Sequence, residues 1–248
     1  MSGDLKKRLL GIMILLPLII GVIAGDPFTS LTITIIQGFI AFELARLVSA
    51  KQAEIFILTL LFWLTAQSFR FPADWPILQL LFAASILTVY VRHQLFATIF
   101  AGIVIICLVS LTIITSLPEA PYILVSLAVV IMASDSGAYL VGRRLGGPKL
   151  APMISPGKTI SGAIGGLVAS VITGYFVADY IAAIHPHFVV SSLVIGVLGQ
   201  IGDLYESYFK RRLSVKDSSN LIPGHGGFLD RFDGYLFILP LFCLVGLV

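Results

Sequence analysis

Charge is what this sequence has least of. Only 12% of its 248 residues are Asp, Glu, Lys or Arg, against 58% hydrophobic, and its mean hydropathy is +1.02. A soluble globule of this length must cover itself with far more charge, so a water-soluble fold is excluded and an integral membrane protein is implied. Cysteine is almost absent too. Cys107 and Cys243 each sit in an apolar run with no second cysteine or histidine at ligand spacing, which excludes a disulfide framework and a zinc site. The net charge of +3 is too small to suggest nucleic acid as a partner. The sequence also lacks internal repeats, low-complexity tracts and any stretch long and polar enough for a separate soluble domain.

What it has is apolar runs along its whole length. Each helix that crosses a bilayer needs about 20 mostly apolar residues, and a helix satisfies its own backbone there. The runs predict an all-α, polytopic fold of about nine transmembrane helices, roughly 9–25, 27–48, 53–71, 75–91, 94–117, 121–141, 160–181, 188–206 and 234–248. Leu9 to Gly25 is signal-like behind Lys6, Lys7 and Arg8, but many similar segments follow, so it reads as a retained first span. Pro27, Pro72, Pro76, Pro118, Pro121 and Pro186 fall at or near the joints, where a missing amide hydrogen does least harm. Pro17 should kink the first span.

Lys and Arg stay on the cytoplasmic side during insertion. With Lys6, Lys7 and Arg8 inside, nine alternating crossings put fifteen of the sixteen basic residues inside and only Arg70 outside. The N-terminus is therefore expected in the cytoplasm and the C-terminus outside. About five spans make an N-terminal region, 1–120. A C-terminal region, 121–248, carries two long cytoplasmic segments, 142–159 and 202–233, where polar chemistry must occur.

Three stretches concentrate the polar groups. In Gly199–Arg212, a continuing helix puts Asp203, Glu206, Ser207 and Lys210 on one face at i, i+3, i+4 and i+7. Glu206 and Lys210 read equally well as a surface pair at a helix end, whereas an ionised Asp203 near hydrocarbon usually lines a cavity or holds a partner. In PGHGGFLDRFDG, the glycines allow close backbone approach to a phosphate, and Asp230 and Asp233 at i, i+3 offer oxygen ligands of the kind Mg²⁺ takes. A Gly-rich turn with a helix-capping aspartate explains one of those two acids but leaves the second, with Arg231 and His225, unexplained. In the third stretch, Asp135 lies within an apolar run, and Arg143, Arg144, Lys149 and Lys158 are spaced through Gly and Pro. Gly157-Lys158-Thr159 is not a Walker A loop, because Pro152 stands where that motif needs a Gly. Lys158 before a helix start is placed to hold an anion, though basic residues here also serve as topology markers. Carboxylates, Gly-rich loops and basic clusters on one membrane face suit a polyphosphate bound with a divalent cation.

The run Ser207-Tyr-Phe-Lys-Arg, then Lys216-Asp217, then Pro223-Gly-His-Gly-Gly-Phe-Leu-Asp-Arg-Phe-Asp233 resembles the signature of the phosphatidate cytidylyltransferases, or CDP-diacylglycerol synthases. Asp135-Ser-Gly-Ala-Tyr and Ser155-Pro-Gly-Lys-Thr resemble further family segments, with Gly157 where a second basic residue is common. The resemblance implies CTP and phosphatidic acid as substrates, CDP-diacylglycerol and pyrophosphate as products, and Mg²⁺, with a second cation allowed. It implies metal-centre acids at Asp203, Asp230 and Asp233, and phosphate binding by Lys210, Arg211 and Lys216. His225 with Gly224, Gly226 and Gly227 would line the nucleotide pocket. Asp135, Ser155, Lys158 and Thr159 would complete the CTP side, and Ser207, Asp217 and Arg231 fall within the same substrate-binding motif. A homodimer in the cell inner membrane, with the active site facing the cytoplasm, is implied as well. Two rivals are a CTP-dependent polyprenol kinase, which would transfer the γ-phosphate to a hydroxyl, and a cation-coupled transporter using Asp135 and Asp203.

Overall fold

A computed structural model describes residues 2–48, 95–181 and 187–244. The expected spans 53–71 and 75–91 lie outside the described residues. The chain divides into two compact units, Met1–Ser116 with Val215–Phe232, and Leu117–Ser214 with Asp233–Val248.

Among the described residues the first unit contains the helices α1 (Ser2–Ile23), α2 (Phe28–Val48) and α3 (Leu95–Thr115). Helix α1 includes Pro17. Side-chain hydrogen bonds join them. Thr29 Oγ1 donates to the Val22 carbonyl at 2.9 Å, and Gln37 Nε2 donates to the Leu108 carbonyl and to Thr112 Oγ1, both at 2.9 Å. In an apolar surround such bonds fix register, because an unpaired amide there would be costly. The segment from Val215 closes on α2 and ends in a single turn, α4 (Leu229–Phe232).

The second unit is built on three long helices, α5 (Ala120–Leu145), α6 (Ile160–Ile181) and α7 (Phe188–Arg212). By length and composition these are the helices among the described residues long enough to cross a membrane; Leu9–Ile23, Phe28–Leu44 and Ile99–Thr115 are shorter apolar stretches. Pro121 opens α5, where its missing N–H is no loss. Gly146, at φ 61°, ends it, and its N–H donates to the Gly142 carbonyl at 3.0 Å. Helices α5 and α6 pack through small residues: a Cβ on Gly137 would lie 2.5 Å from that of Ala169, and one on Gly162 would lie 2.7 Å from the Ala138 carbonyl. This is the close backbone approach that holds helices together in lipid. Ile164, Val168, Ile172, Tyr175 and Phe176 stay exposed on α6, as a face turned to hydrocarbon would.

Helix α7 continues past the expected span 188–206 to Arg212, as the shared face of Asp203, Glu206, Ser207 and Lys210 requires, because Tyr205 to Arg212 contains no breaker. Two elements differ from what the sequence predicts. The fold is not wholly α: Lys149–Ala151 (β1) pairs antiparallel with Ser155–Thr159 (β2), a tight hairpin that occupies the expected loop 142–159. The last apolar run does not begin as one helix. Asp233–Tyr235 forms a 3₁₀ turn, and the described part of the run is a short helix, α8 (Ile238–Leu244).

Candidate active site

In the second unit, the polar side chains gather where α7, the hairpin and the 3₁₀ turn meet. Lys158 on β2 forms an ion pair with Asp203 on α7, both side chains about 30% exposed. Ser207, one turn along, donates to Asp203 Oδ1 at 3.3 Å. One turn further, Lys210 pairs with Glu206 at 3.4 Å. Helical spacing permits that pair at a surface, but it is buried, with Glu206 0% and Lys210 7% exposed. Arg211 reaches the Ile154 carbonyl at the hairpin turn. Thr159 ends β2 and caps α6: its Oγ1 accepts from the Gly162 N–H at 3.1 Å, three residues on, the geometry of an N-cap. Ser155 starts the same strand and is half-buried.

Asp233 stands in the 3₁₀ turn, its Oδ1 accepting from the Gly234 N–H at 2.7 Å. The residue is half-buried, and burial pushes its pKa up to about 7. The negative charges of Asp203 and Asp135 push the same way, against the opposing pull of the Gly234 N–H and of Lys210. Asp135 itself is exposed on α5. Three acids thus repel one another beside two lysines, an arrangement that an added cation would relieve. Among the described residues no three His, Cys, Asp or Glu side chains converge as a ready-made metal cage. This donor set suits Mg²⁺, which takes one or two carboxylates and fills its shell with water and phosphate oxygens.

Asp230 belongs to the first unit, and there it works on the backbone. Its two oxygens accept from the Ser218 N–H, each at 3.0 Å, and Oδ2 accepts from the Gly227 N–H at 2.8 Å. Both partners precede its own helical turn, so Asp230 braces the loop and is not an N-cap, which would accept from an amide two or three residues later. The loop before it is a tight reversal in which the Ile222 N–H donates to Gly226 and the His225 N–H to Ile222. Gly224 and Gly226 have φ of 75° and 85°, conformations that a side chain would strain. The amides of Gly227, Phe228 and Leu229 are turned onto carboxylates of the protein, so an anion at this loop would meet other groups: the half-buried His225 and the exposed Arg231, Lys216 and Asp217. His225 packs against α1, where a Cβ on Gly11 would come within 2.4 Å of Nδ1.

Glu43, absent from the polar stretches singled out above, is 0% exposed on α2. Its four hydrogen-bond donors all lie between Ser218 and Leu229. The signal was present, since a lone acid in an apolar run is the same anomaly that singled out Asp135.

The fold and its polar groups define a helical membrane protein whose acids, lysines and glycine-rich turns suit phosphate chemistry. Within that class the chain belongs to the cytidylyltransferase family, whose model matches residues 6–248. It is similar to the phosphatidate cytidylyltransferase of Bacillus subtilis (strain 168), 36% identical over 96% of each chain. It is also 49% identical to the phosphatidate cytidylyltransferase of Staphylococcus haemolyticus (strain JCSC1435) over 45% of this chain and 44% of that one. With the enzyme of that name from Brucella suis biovar 1 (strain 1330) it shares 49% identity over 50% of this chain and 47% of that one. The chain thus spans somewhat under half the length of the latter two in alignment, and nearly all of the first.

Proposed function

We propose that this chain is a phosphatidate cytidylyltransferase, which transfers CMP from CTP to phosphatidic acid and releases pyrophosphate. The observation that carries the reading is end-to-end similarity to the Bacillus subtilis protein, 36% identical across 96% of both chains. A phosphate oxygen of the lipid attacks the α-phosphorus of CTP, the bond from that phosphorus to the bridging oxygen breaks, and pyrophosphate leaves. Phosphatidate is already ionised near neutral pH, so no side chain need remove a proton.

The residues divide the work by charge. Lys210, Arg211 and Lys216 bind phosphates, and Lys158, drawn toward Asp203, is a cation that can be shared with the triphosphate. Thr159, which caps α6 next to Lys158, and Ser155, at the start of the same strand, complete the CTP side. Ser207 steadies Asp203. His225, between Gly224 and Gly226, lines the nucleotide side with Gly227, Asp217 and Arg231. Asp203 and Asp233 are the acids that serve Mg²⁺, with Asp135 near them on the CTP side, while Asp230, whose oxygens accept from the Ser218 and Gly227 N–H groups, holds the loop. Bound Mg²⁺ would supply positive charge against the triphosphate and the departing pyrophosphate. The remainder of the reading is a nine-span chain with a cytoplasmic N-terminus, in the inner membrane, with its chemistry on the cytoplasmic face and a second copy as partner. Fifteen of the sixteen basic residues falling on one side support the orientation.

The test is purified protein in detergent with labelled CTP, phosphatidic acid and Mg²⁺. CDP-diacylglycerol and pyrophosphate are the expected products; CDP and a phosphorylated polyprenol would identify the kinase instead. A pH series adds a second test. Asp233 carries its proton up to about pH 7 without metal, so a cation that binds it must displace that proton. Apparent Mg²⁺ affinity should rise about tenfold per pH unit below 7 and flatten above it. Affinity independent of pH between 5.5 and 8.5 removes Asp233 from the set.

A further inference from the structure

A carboxylate inside an apolar helix is costly unless its surroundings repay it with hydrogen bonds. Glu43 is wholly buried beside Ala41 and Leu44. Its Oε1 accepts from Ser219 Oγ at 2.5 Å and from the Phe228 N–H at 2.9 Å. Its Oε2 accepts from Ser218 Oγ at 3.0 Å and from the Leu229 N–H at 2.7 Å. All four partners donate, the complement of an acceptor-only carboxylate. Two lie before the Ile222–Gly226 reversal and two after it, so one side chain holds both legs of the loop and leaves its tip, with Gly224 and His225, beyond the grip. Ser218 joins this acid to Asp230, giving its Oγ to Glu43 and its N–H to Asp230. Gly227 fits between them only because it has no side chain: a Cβ there would lie 2.0 Å from Ser218 Oγ and 2.5 Å from Glu43 Oε1. One turn back on α2, Phe39 stacks on Phe228 at 4.7 Å and 6°.

An apolar side chain at position 43 would fill the same space without desolvating a charge, so stability alone does not account for an acid here. Four donors drawn from two legs of a glycine-rich loop specify a shape. We propose that Glu43 is a positioning residue for nucleotide binding: it acts through Ser218, Ser219 and the amides of Phe228 and Leu229 to set the loop that carries His225 and Arg231. This rests on the reaction assigned above. Glu43 touches no reacting atom; its effect passes through the loop.

Glu43→Gln separates this role from a general contribution to folding. Whichever oxygen becomes the amide nitrogen, either the Phe228 or the Leu229 N–H then faces another donor. In lipid nanodiscs, the full-length variant should melt close to wild type, raise KM for CTP about tenfold or more and leave KM for phosphatidic acid unchanged, as loss of one charge-assisted hydrogen bond implies. Amide hydrogen exchange across 218–229 should quicken about tenfold, with α5 to α7 unaffected. Ser219→Ala, which removes one donor and keeps the acid, should shift both readouts the same way by about threefold, and it decides the matter should the glutamine variant fail to fold. Turnover that falls only with the folded fraction, both KM values holding, overturns the proposal, and so does unchanged exchange at 218–229. A wild-type protein inactive with CTP and phosphatidic acid overturns the reaction and the role together. An active wild type with kinetically normal Glu43→Gln and Ser219→Ala overturns the role alone.

Discussion

Asp233→Asn should abolish CDP-diacylglycerol formation, by on the order of 10³-fold or more, in a protein that folds at least as well as wild type. The loss follows from charge. Asn keeps the shape and can still accept from the Gly234 N–H, but it cannot bring a negative oxygen to a cation at a point where charge develops, a class of interaction that costs about 10² to 10³ when one member is removed. The gain follows from linkage. The carboxyl of Asp233 is raised from 3.8 to about 7, by burial first and then by Asp203 and Asp135. Between those values the folded protein holds a proton that the unfolded chain has released. Stability carried by this group is therefore full below about pH 4, declines as pH rises toward 7 and is level above. At pH 8 with chelator present, the wild type carries the whole penalty, on the order of a few kcal/mol, and the asparagine variant carries none. Melting temperatures measured from pH 4 to 8 should coincide at the acid end and separate in favour of Asp233→Asn as pH rises. A variant that keeps a tenth of wild-type turnover, or that melts lower at pH 8 than at pH 5 just as wild type does, contradicts this assignment.

The long helices were legible because lipid leaves little choice: a run of about 20 apolar residues bounded by Pro or by Arg and Lys becomes a helix with those bounds, and 160–181 is recovered to the residue. The face of α7 was legible for the same reason, since helical spacing alone stacks Asp203 on Ser207 and Glu206 on Lys210. The hairpin at 149–159 was not. Its strands are three and five residues long, and Ser-Pro-Gly-Lys-Thr reads as a turn until Lys149 and Ala151 pair with it. Nor could spacing reveal what Asp230 and Glu43 do. Asp230 serves an amide twelve residues away, and Glu43 serves hydroxyls and amides 175 to 186 residues away. Such pairings exist only once the chain has closed, and a sequence shows the anomaly of the acid without its partners. The last apolar run did carry a signal of its break in Pro240, which stands in the first turn of α8 where a missing N–H is no loss, but the close packing of the preceding 3₁₀ turn against α7 is legible only once the chain has closed.

That packing supports the second large effect. Gly202 faces the 3₁₀ turn so closely that a Cβ would lie 2.2 Å from the Asp233 carbonyl oxygen and 3.3 Å from its carbon. Gly202→Ala should therefore cut turnover about 10²-fold, even though alanine favours a helix interior by about 1 kcal/mol over glycine. The atom in the way belongs to backbone, which cannot swing aside as a side chain would. An ordinary carbon–oxygen contact needs about 1 Å more, so the turn must shift by roughly that much, and a displacement of this size at a reacting centre costs about 10² in rate. Overpacking takes back about 1–3 kcal/mol, enough to cancel the helical gain and leave the melting temperature near or somewhat below wild type. Gly199 provides the comparison within the same helix. Its Cβ would meet Gly234 O and Ile238 Cδ1 at 3.8 Å each, ordinary contact, so Gly199→Ala should keep wild-type turnover and melt slightly higher. Equal turnover in the two variants would mean that α7 does not set the position of Asp233. A hundredfold difference between substitutions one turn apart would identify the missing methyl of Gly202 as what lets the acid reach its place.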